Sequence, residues 1–572
     1  MPTDDKLRQL IMKFAVKNAV DFGKADIGSV IGKVIPSAKG IPIDEIKSQV
    51  KEVVGEVNRM GRADLEAEYE KHRDEFEKKA AETVKRTEKP NMVLDGAFEG
   101  DFATRWPPEP SGYQHIGHAK PIFLEDEFRK IYKGKFFLYF DDTNPEKEKQ
   151  EYVDADKADL QWLGIKFDKE YYASDNMEKI YECAKRLIEK GNAYVCMCDQ
   201  ETMKRNRNSM EECDHRKRAP KENLEEFNKM LAGDYQEGGA ILRFKGDMKS
   251  QNTVMRDPTI ARIKTDRHYR QGTKYKVWPT YDLAAPINDS MQGVTDVLRS
   301  KEYELRDELN KKILHLLGLR TPRIHQFARL NIIGNTTHKR EIRELVASGA
   351  ISGWDDPRLM TFKGLKRRGI MPAAIREFAL RAGMTKTDSE LPLESLLAEN
   401  KKIIDPTAKH LFFVSNPVAV KVDVDEAKEV RLKLHPSGDH GHREYVIGGA
   451  FYISGEDAKG LKKGTVLRLK DTLDIKVLSK GKTITAEKGD GEKASKIVQW
   501  VAEGNYVKCS VLIPGQLMDD RDNFNPNSLE TVEGYVEKYA EQLKEHEVVQ
   551  FERFGYCILD DKRKMQFIFI SK

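Results

Sequence analysis

The sequence predicts a multidomain protein built around a doubly wound α/β unit, with a helical extension before it and antiparallel β-barrels after it. Three observations carry this reading. Short apolar strands alternate with amphipathic helices after Pro90, a polar and irregular stretch interrupts that alternation between about Ala193 and Lys276, and from about Asp405 the pattern turns to period-two alternation broken by Gly, Asp and Pro. At 572 residues the chain is also too long for one core, because domains run to roughly 100–200 residues.

The first ninety residues read as helical and end in DLEAEYEKHRDEFEKKAAETVKRTEK, whose opposite charges pair at i,i+4 on a solvated face. Next come TRWPPEPSGYQHIGHAKPIFLEDEFRKIY, KFFLYFDDTNPEKEKQEYVDADKADLQWLGI and MEKIYECAKRLIEKGNAYVCMC, strands separated by helices of the length that βαβ units need. In such parallel sheets ligands bind outside the carboxyl ends of the strands. The α/β texture resumes at VWPTYDLAAPINDS, so the stretch between is an insertion. The segments EVRLKLHPSGD, REYVIGGAFYISGEDAKGLKKGTVLRLK, NYVKCSVLIPG and VVQFERFGYCILDDKRKMQFIFISK supply the strands of the C-terminal barrels.

Lys+Arg 98 nearly cancels Asp+Glu 94, leaving a net charge of +4. An RNA partner would therefore have to be met by local basic surface. The N-terminus carries acids early and has no signal-peptide apolar run, and no stretch approaches the length of a bilayer span, so a cytoplasmic protein without membrane contact is expected. The six cysteines, Cys183, Cys196, Cys198, Cys213, Cys509 and Cys557, are too few and too unevenly spread for a disulfide framework. Cys196, Cys198, Cys213 and His215 instead form a set of three thiolates and one imidazole, the donor set of a closed structural zinc site. Such a metal would staple a small polar insertion that has little core of its own. The plainer alternative is free buried cysteines with a surface His215.

The sharpest motif is RWPPEPSGYQHIGHA, Arg105 to Ala119, after a strand and opening a helix. Pro107, Pro108 and Pro110 stiffen the approach, Gly112 permits a tight turn, and His115 and His118 share a helical face. Two imidazoles beside free N–H groups at a helix N-terminus suit a polyphosphate, and Gly117 leaves room for a flat base. A P-loop is excluded: its nearest attempt, Gly28 to Val34, is one residue short and lacks the hydroxyl that would hold magnesium.

PPEPSGYQHIGHAK resembles the HIGH signature of class I aminoacyl-tRNA synthetases, in the form shared by glutaminyl and archaeal-type glutamyl enzymes. The likeness continues through FDDTNPEKEKQEYVDADKADLQWLG, WPTYDLAAPINDSMQGVTDVLRSKEY and NKKIIDPTAKHLFFV. It implies a Rossmann-like catalytic domain over 91–192 and 277–330, an inserted zinc-containing acceptor-end domain over 193–276, a signature loop and helical stem-contact domain over 331–404, anticodon-binding barrels over 405–572, and a helical extension over 1–90. It further implies that Pro108, Glu109, His115, Gly117, His118 and Lys339 meet ATP, which enters with Mg2+. By the same likeness His115, His118, Lys339 and Arg340 carry the catalysis. Arg105, Asp141, Tyr281 and Arg299 would hold the amino acid, and a dicarboxylate zwitterion does need two cations and one anion.

The string Val297 to Glu302 is similar to the glutamyl version, so L-glutamate and tRNA(Glu) are the expected partners, with tRNA(Gln) a second candidate acceptor and a monomer the expected state. Against this, Arg299 would simply pair with a structural acid such as Asp296 or Glu302. The second signature departs from the family pattern, with His338-Lys339-Arg340-Glu341 where Ser-Lys-Arg-Lys is usual. A glutaminyl enzyme and a catalytically impaired tRNA-binding paralogue are the alternatives. The basic runs Lys363 to Arg368 and Lys204 to Arg207 read as solvated faces or phosphate contacts.

Overall fold

In a computed structural model, the described residues are 2–35, 42–73, 92–332, 338–381, 383–424, 426–437, 440–489, 491, 493–519 and 523–572. The chain divides into two compact units, Met1–Lys89 and Pro90–Lys572.

The first unit holds the helices Pro2–Phe22, Ile27–Val34, Ile43–Val57 and Arg62–Glu70. Leu7, Ile11, Val30, Val34, Ile46, Val50 and Val53 recur at helical spacing and close over one another as a core. The extension is thus a folded bundle with its own interior. The charged run expected to pair at i,i+4 pairs at i,i+3 where it is described, Lys71 with Glu68 and Arg73 with Glu70. Its remainder lies outside the described residues.

In the second unit the strands Ala103–Trp106, Lys135–Phe140 and Lys169–Tyr172 pair in parallel, as do Asp296–Ser300 and Arg323–Phe327. The two pieces abut where the Thr295 N–H donates to the Ala103 carbonyl at 2.8 Å and the Ala103 N–H donates to Thr295 Oγ1 at 2.7 Å. Strands separated by 192 residues of sequence therefore lie side by side, as a parallel sheet with an insertion requires. The helix Ile116–Ile131 turns Ile116, Ala119, Ile122 and Phe123 onto this sheet.

The insertion carries the antiparallel strands Ala193–Cys196, Ile241–Phe244, Thr259–Ile263 and Val277–Pro279. Its buried Val195, Phe227, Leu242 and Ile260 share one core with Ile180, Leu187, Leu283 and Ile313 of the flanking helices.

Towards the C-terminus two seven-stranded sheets form. Val511, Val536, Phe551 and Phe567 fill one, and Leu467, Ile475, Val477 and Trp500 fill the other. Tyr556, Ile558, Ile568 and Ile570 of a barrel share one core with the helices Pro372–Arg381 and Leu393–Ile404 and with the sheet-covering helix Ile116–Ile131.

Within the run Lys363 to Arg368, Lys366 is exposed, but Arg367 and Arg368 are tied to a barrel. Arg367 makes a two-pronged ion pair with Asp560 at 2.8 Å, Arg368 is fully buried with Nη2 donating to the Ile570 carbonyl at 3.4 Å, and Lys363 lies over the Tyr113 ring at 3.8 Å. Guanidinium stems supply packing as well as charge, so a basic run also serves as a joint between domains.

Candidate active site

A cavity of about 690 Å³ opens at the carboxyl ends of the parallel strands, the position this topology favours. Arg105 and Trp106 end the first strand, and the rigid Pro107-Pro108 step carries the chain along the rim to Glu109. The Asp141 N–H donates to the Pro108 carbonyl at 3.0 Å, pinning that rim to the end of the strand Lys135–Phe140. Arg105, Pro108, Glu109, His115, Gly117, His118, Asp141, Tyr281, Arg299 and Lys339 all line the cavity. Arg340 does not: its exposed side chain turns back to Glu344, four residues on in the helix Lys339–Ala347.

The helix N-terminus differs from the sequence expectation. Its first N–H groups are taken: Ile116 donates to the Met360 carbonyl at 2.8 Å, Gly117 to His115 Nδ1 at 3.1 Å and His118 to the His115 carbonyl at 2.8 Å. His118 Nδ1 in turn accepts from the His115 N–H at 3.3 Å, and the two rings lie 4.1 Å apart. A ring nitrogen that accepts from an N–H carries no proton, so each neutral ring keeps its proton on Nε2. Burial, reinforced for His115 by Lys339, pushes the His115 imidazolium down to about 3, and burial together with His115 lowers His118 well below the usual histidine range. The histidines are therefore neutral Nε2–H donors, and the positive charge beside them comes from Lys339 and Arg329.

The two glycines of the motif act through space. A Cβ on Gly117 would lie 2.8 Å from His115 Cε1, so the glycine houses the folded-back imidazole and not a base. A Cβ on Gly112 would lie 2.8 Å from Lys339 Cδ. The lysine reaches the cavity by crossing the glycine. Residues 333–337 of the signature loop lie outside the described residues.

At the inner end Arg105 is 1% exposed and is held by Asp289, Nε to Oδ1 at 2.7 Å and Nη2 to Oδ2 at 3.0 Å. Its third nitrogen, Nη1, is buried with no hydrogen-bond partner among the described residues. Arg299 pairs with Asp307 and donates to the Tyr281 hydroxyl at 3.3 Å. Arg299 thus does pair with an acid, but with Asp307 in place of the two nearer in sequence: Asp296 takes Arg323 and His325, and Glu302 takes Arg329. Burial raises the Asp141 carboxyl to about 6, with Glu109 adding to the effect, so it is ionised at neutral pH and available to a cation.

Asp289, Asp307 and Glu125 escaped the sequence reading. Asp289 had a usable signal, since Tyr281, Ala285 and Asp289 fall at i, i+4 and i+8 on one face of the helix Tyr281–Gln292. Asp307 had none, because it opens a separate helix, Asp307–Leu317.

In the insertion the donor atoms of Cys196, Cys198, Cys213 and His215 all lie within 4.8 Å of one another. Cys196 Sγ is 3.8 Å from Cys213 Sγ, and Cys198 Sγ is 3.4 Å from His215 Nδ1. All six cysteines are unbridged.

Residues 101–406 match the family described as tRNA synthetases class I (E and Q), catalytic domain, and 408–491 and 497–560 match two anticodon-binding domains of the same description. The chain belongs to the class I E and Q tRNA synthetases. The synthetase is 39% identical over 570 residues to a protein named glutamate–tRNA ligase of Nitrosopumilus maritimus, covering 99% of each chain. It is 40% identical over 550 residues to that of Cenarchaeum symbiosum, covering 95% of this chain and 96% of the relative. It is 36% identical over 572 residues to that of Pyrococcus furiosus, covering 97% of each. Among the described residues no helix is long and apolar enough to cross a membrane.

The packing of His115 against Gly117 makes one consequence measurable. Gly117→Ala displaces the ring, and since an error of about 1 Å in positioning costs on the order of 100-fold in rate, ATP–pyrophosphate exchange with tRNA present is expected to fall by about that factor while the melting midpoint stays within a few degrees. Unchanged exchange would show that the ring's placement is unimportant.

Proposed function

We propose that this synthetase joins L-glutamate to tRNA(Glu) using ATP and Mg2+, through glutamyl-adenylate. The observation that carries the reading is the pair of buried arginines, Arg105 and Arg299, in a cavity that also holds the ionised Asp141. Both guanidiniums are paired, with Asp289 and Asp307, but each keeps one buried nitrogen without a partner among the described residues, Arg105 Nη1 and Arg299 Nε, to offer a substrate carboxylate, and Asp141 can meet the ammonium. Full-length relatives named glutamate–tRNA ligase support the choice of amino acid.

In the first step an oxygen of the glutamate α-carboxylate attacks the α-phosphorus of ATP, and the bond to the bridging oxygen breaks to release pyrophosphate. The chain contributes position and charge: the Nε2–H groups of His115 and His118 and the ammonium of Lys339 face the phosphates at the mouth, while Arg105, Arg299 and Asp141 hold the amino acid at the inner end. In the second step a terminal ribose hydroxyl of tRNA attacks the acyl carbon and AMP leaves. Arg340, turned away to Glu344, is left out of both steps.

An RNA partner finds support where the two barrels meet. A cavity of about 550 Å³ there is lined by Arg431, Lys433, Arg443, Lys470 and Arg553, with Gln550 and His410 among its walls. Gln550 Oε1 and His410 Nε2 are buried without hydrogen-bond partners among the described residues. Unpaired polar atoms within a basic rim suit the edge of a splayed-out base.

Cys196, Cys198, Cys213 and His215 would hold a structural zinc. For bonds of roughly 2.3 Å a tetrahedral site has sulfur–sulfur edges near 3.8 Å, and the observed separations fit that. Elemental analysis of protein purified without chelator should give about one zinc per chain, and a Cys198→Ser, Cys213→Ser double variant should give close to none. Absence of zinc from the unaltered protein would rule the site out.

The functional reading is tested by charging total tRNA with labelled glutamate and labelled glutamine in parallel. Glutamate alone is expected. Glutamine incorporation would assign the glutaminyl activity, and neither would identify an RNA-binding protein without catalysis. The same assay on purified tRNA(Gln) reads whether that tRNA is a second acceptor.

A further inference from the structure

Glu125 lies in the third turn of the helix Ile116–Ile131, is fully buried and borders the cavity, and neither of its carboxyl oxygens has a hydrogen-bond partner among the described residues. The acids nearest the two arginines are engaged: Asp289 by Arg105, Asp307 by Arg299 and Gln326, Asp282 by Arg306, Asp296 by Arg323 and His325. The one donor left over on Arg105, Nη1, is buried and unmatched on the same cavity.

Charge decides what Glu125 does there. Arg105 and Arg299 are each matched one for one by Asp289 and Asp307, so an ionised Glu125 would set an unbalanced negative charge against a substrate that brings two carboxylates. An ionised carboxylate with no donor is also among the costliest groups to bury. As the neutral acid, Glu125 has a hydroxyl to donate, and a carboxylate is the strongest acceptor the substrate offers. Resting on the assignment of glutamate as substrate, we propose that Glu125 is a specificity-determining residue of the amino-acid site, present as the neutral acid and donating its O–H to a carboxylate oxygen of bound glutamate beside Arg105 Nη1.

The surroundings favour the neutral form. Burial raises the Glu125 carboxyl well above the usual carboxylate range, Arg105 on the first strand opposes this, and Asp289 adds to it. Of the other elements packed on this helix, the strand Lys135–Phe140 carries Tyr139, whose hydroxyl is kept neutral by burial, and exposed Lys135 at its start. The strand Asp296–Ser300 carries the paired Asp296 and Arg299, and the helix Pro372–Arg381 carries Arg376, tied to Asp126 and Glu127, Arg381, tied to Glu399, and Glu377. On its own helix, Lys120 donates to the Ala328 carbonyl at 2.7 Å and His118 is neutral. Arg105 is thus the one cation recorded as acting on Glu125, and it is already matched by Asp289.

The test is the KM for glutamate in charging assays with the full chain, tRNA and saturating ATP, from pH 6.5 to 9, for the unaltered protein, Glu125→Gln and Glu125→Ala, with KM for ATP and the melting midpoint alongside. A neutral donor is lost as pH rises, so the unaltered KM for glutamate should climb towards tenfold per pH unit once Glu125 ionises. Glu125→Gln keeps a neutral donor and should hold KM within about threefold of the unaltered value at neutral pH while abolishing the part of the rise that belongs to Glu125. It also controls for titration of the substrate's own ammonium. Glu125→Ala should raise the KM for glutamate about tenfold at every pH below the rise, with KM for ATP unchanged. A pH profile identical in the unaltered protein and Glu125→Gln overturns the proposal, as does a Gln variant that raises both KM values and lowers the melting midpoint. Failure of the unaltered protein to charge glutamate at all would instead overturn the assignment of substrate.

Discussion

The bidentate ion pair between Arg105 and Asp289 is the contact on which the site depends. It joins the end of the first strand to a helix 184 residues away, across the whole inserted domain, and it is buried on both sides. A buried guanidinium is tolerable only when paired and hydrogen bonded, and removing one partner costs about 3–5 kcal/mol. Two of its nitrogens are spent on that pairing, which fixes the plane of the group and leaves Nη1 buried without a partner among the described residues. The halves of the split α/β unit thus meet at the atom that is free for substrate.

The mouth of the cavity follows from a second constraint, the unsatisfied N–H groups of a helix start. Here the histidines and the Met360 carbonyl satisfy them. Capping by Nδ1 places the ring proton on Nε2, burial keeps the rings neutral, and the missing side chain of Gly117 gives the first ring its place. The motif therefore builds its own donors, and the charge that phosphates need is delivered separately by Lys339 across Gly112.

Much of this was legible in the sequence because strand and helix periods, proline steps and motif spacing are local. They placed the parallel sheet, the insertion, the barrels, both histidines and the cysteine cluster. What escaped depends on long-range pairing. Asp307 and Glu125 matter through partners or cavities that only the folded chain brings together, and the actual partner of Arg299 lies beyond the neighbours that its strand suggested. Arg340 stands apart from the cavity for a local reason: at the second position of a helix its side chain turns out towards Glu344, a turn further on. The basic run ending at Arg368 misled because charge in sequence does not reveal burial.

The most direct measurement is the KM for glutamate and for ATP in an Asp289→Asn variant. An amide keeps the size of the side chain but cannot match the charge or accept on both prongs, so Arg105 should lose its fixed plane. The account gives a rise of on the order of 100-fold in KM for glutamate, equivalent to about 2.7 kcal/mol, with KM for ATP within a factor of about two. Equal losses for both substrates, or an unchanged KM for glutamate in a folded variant, would contradict the claim that this pair aims Arg105 at the amino acid.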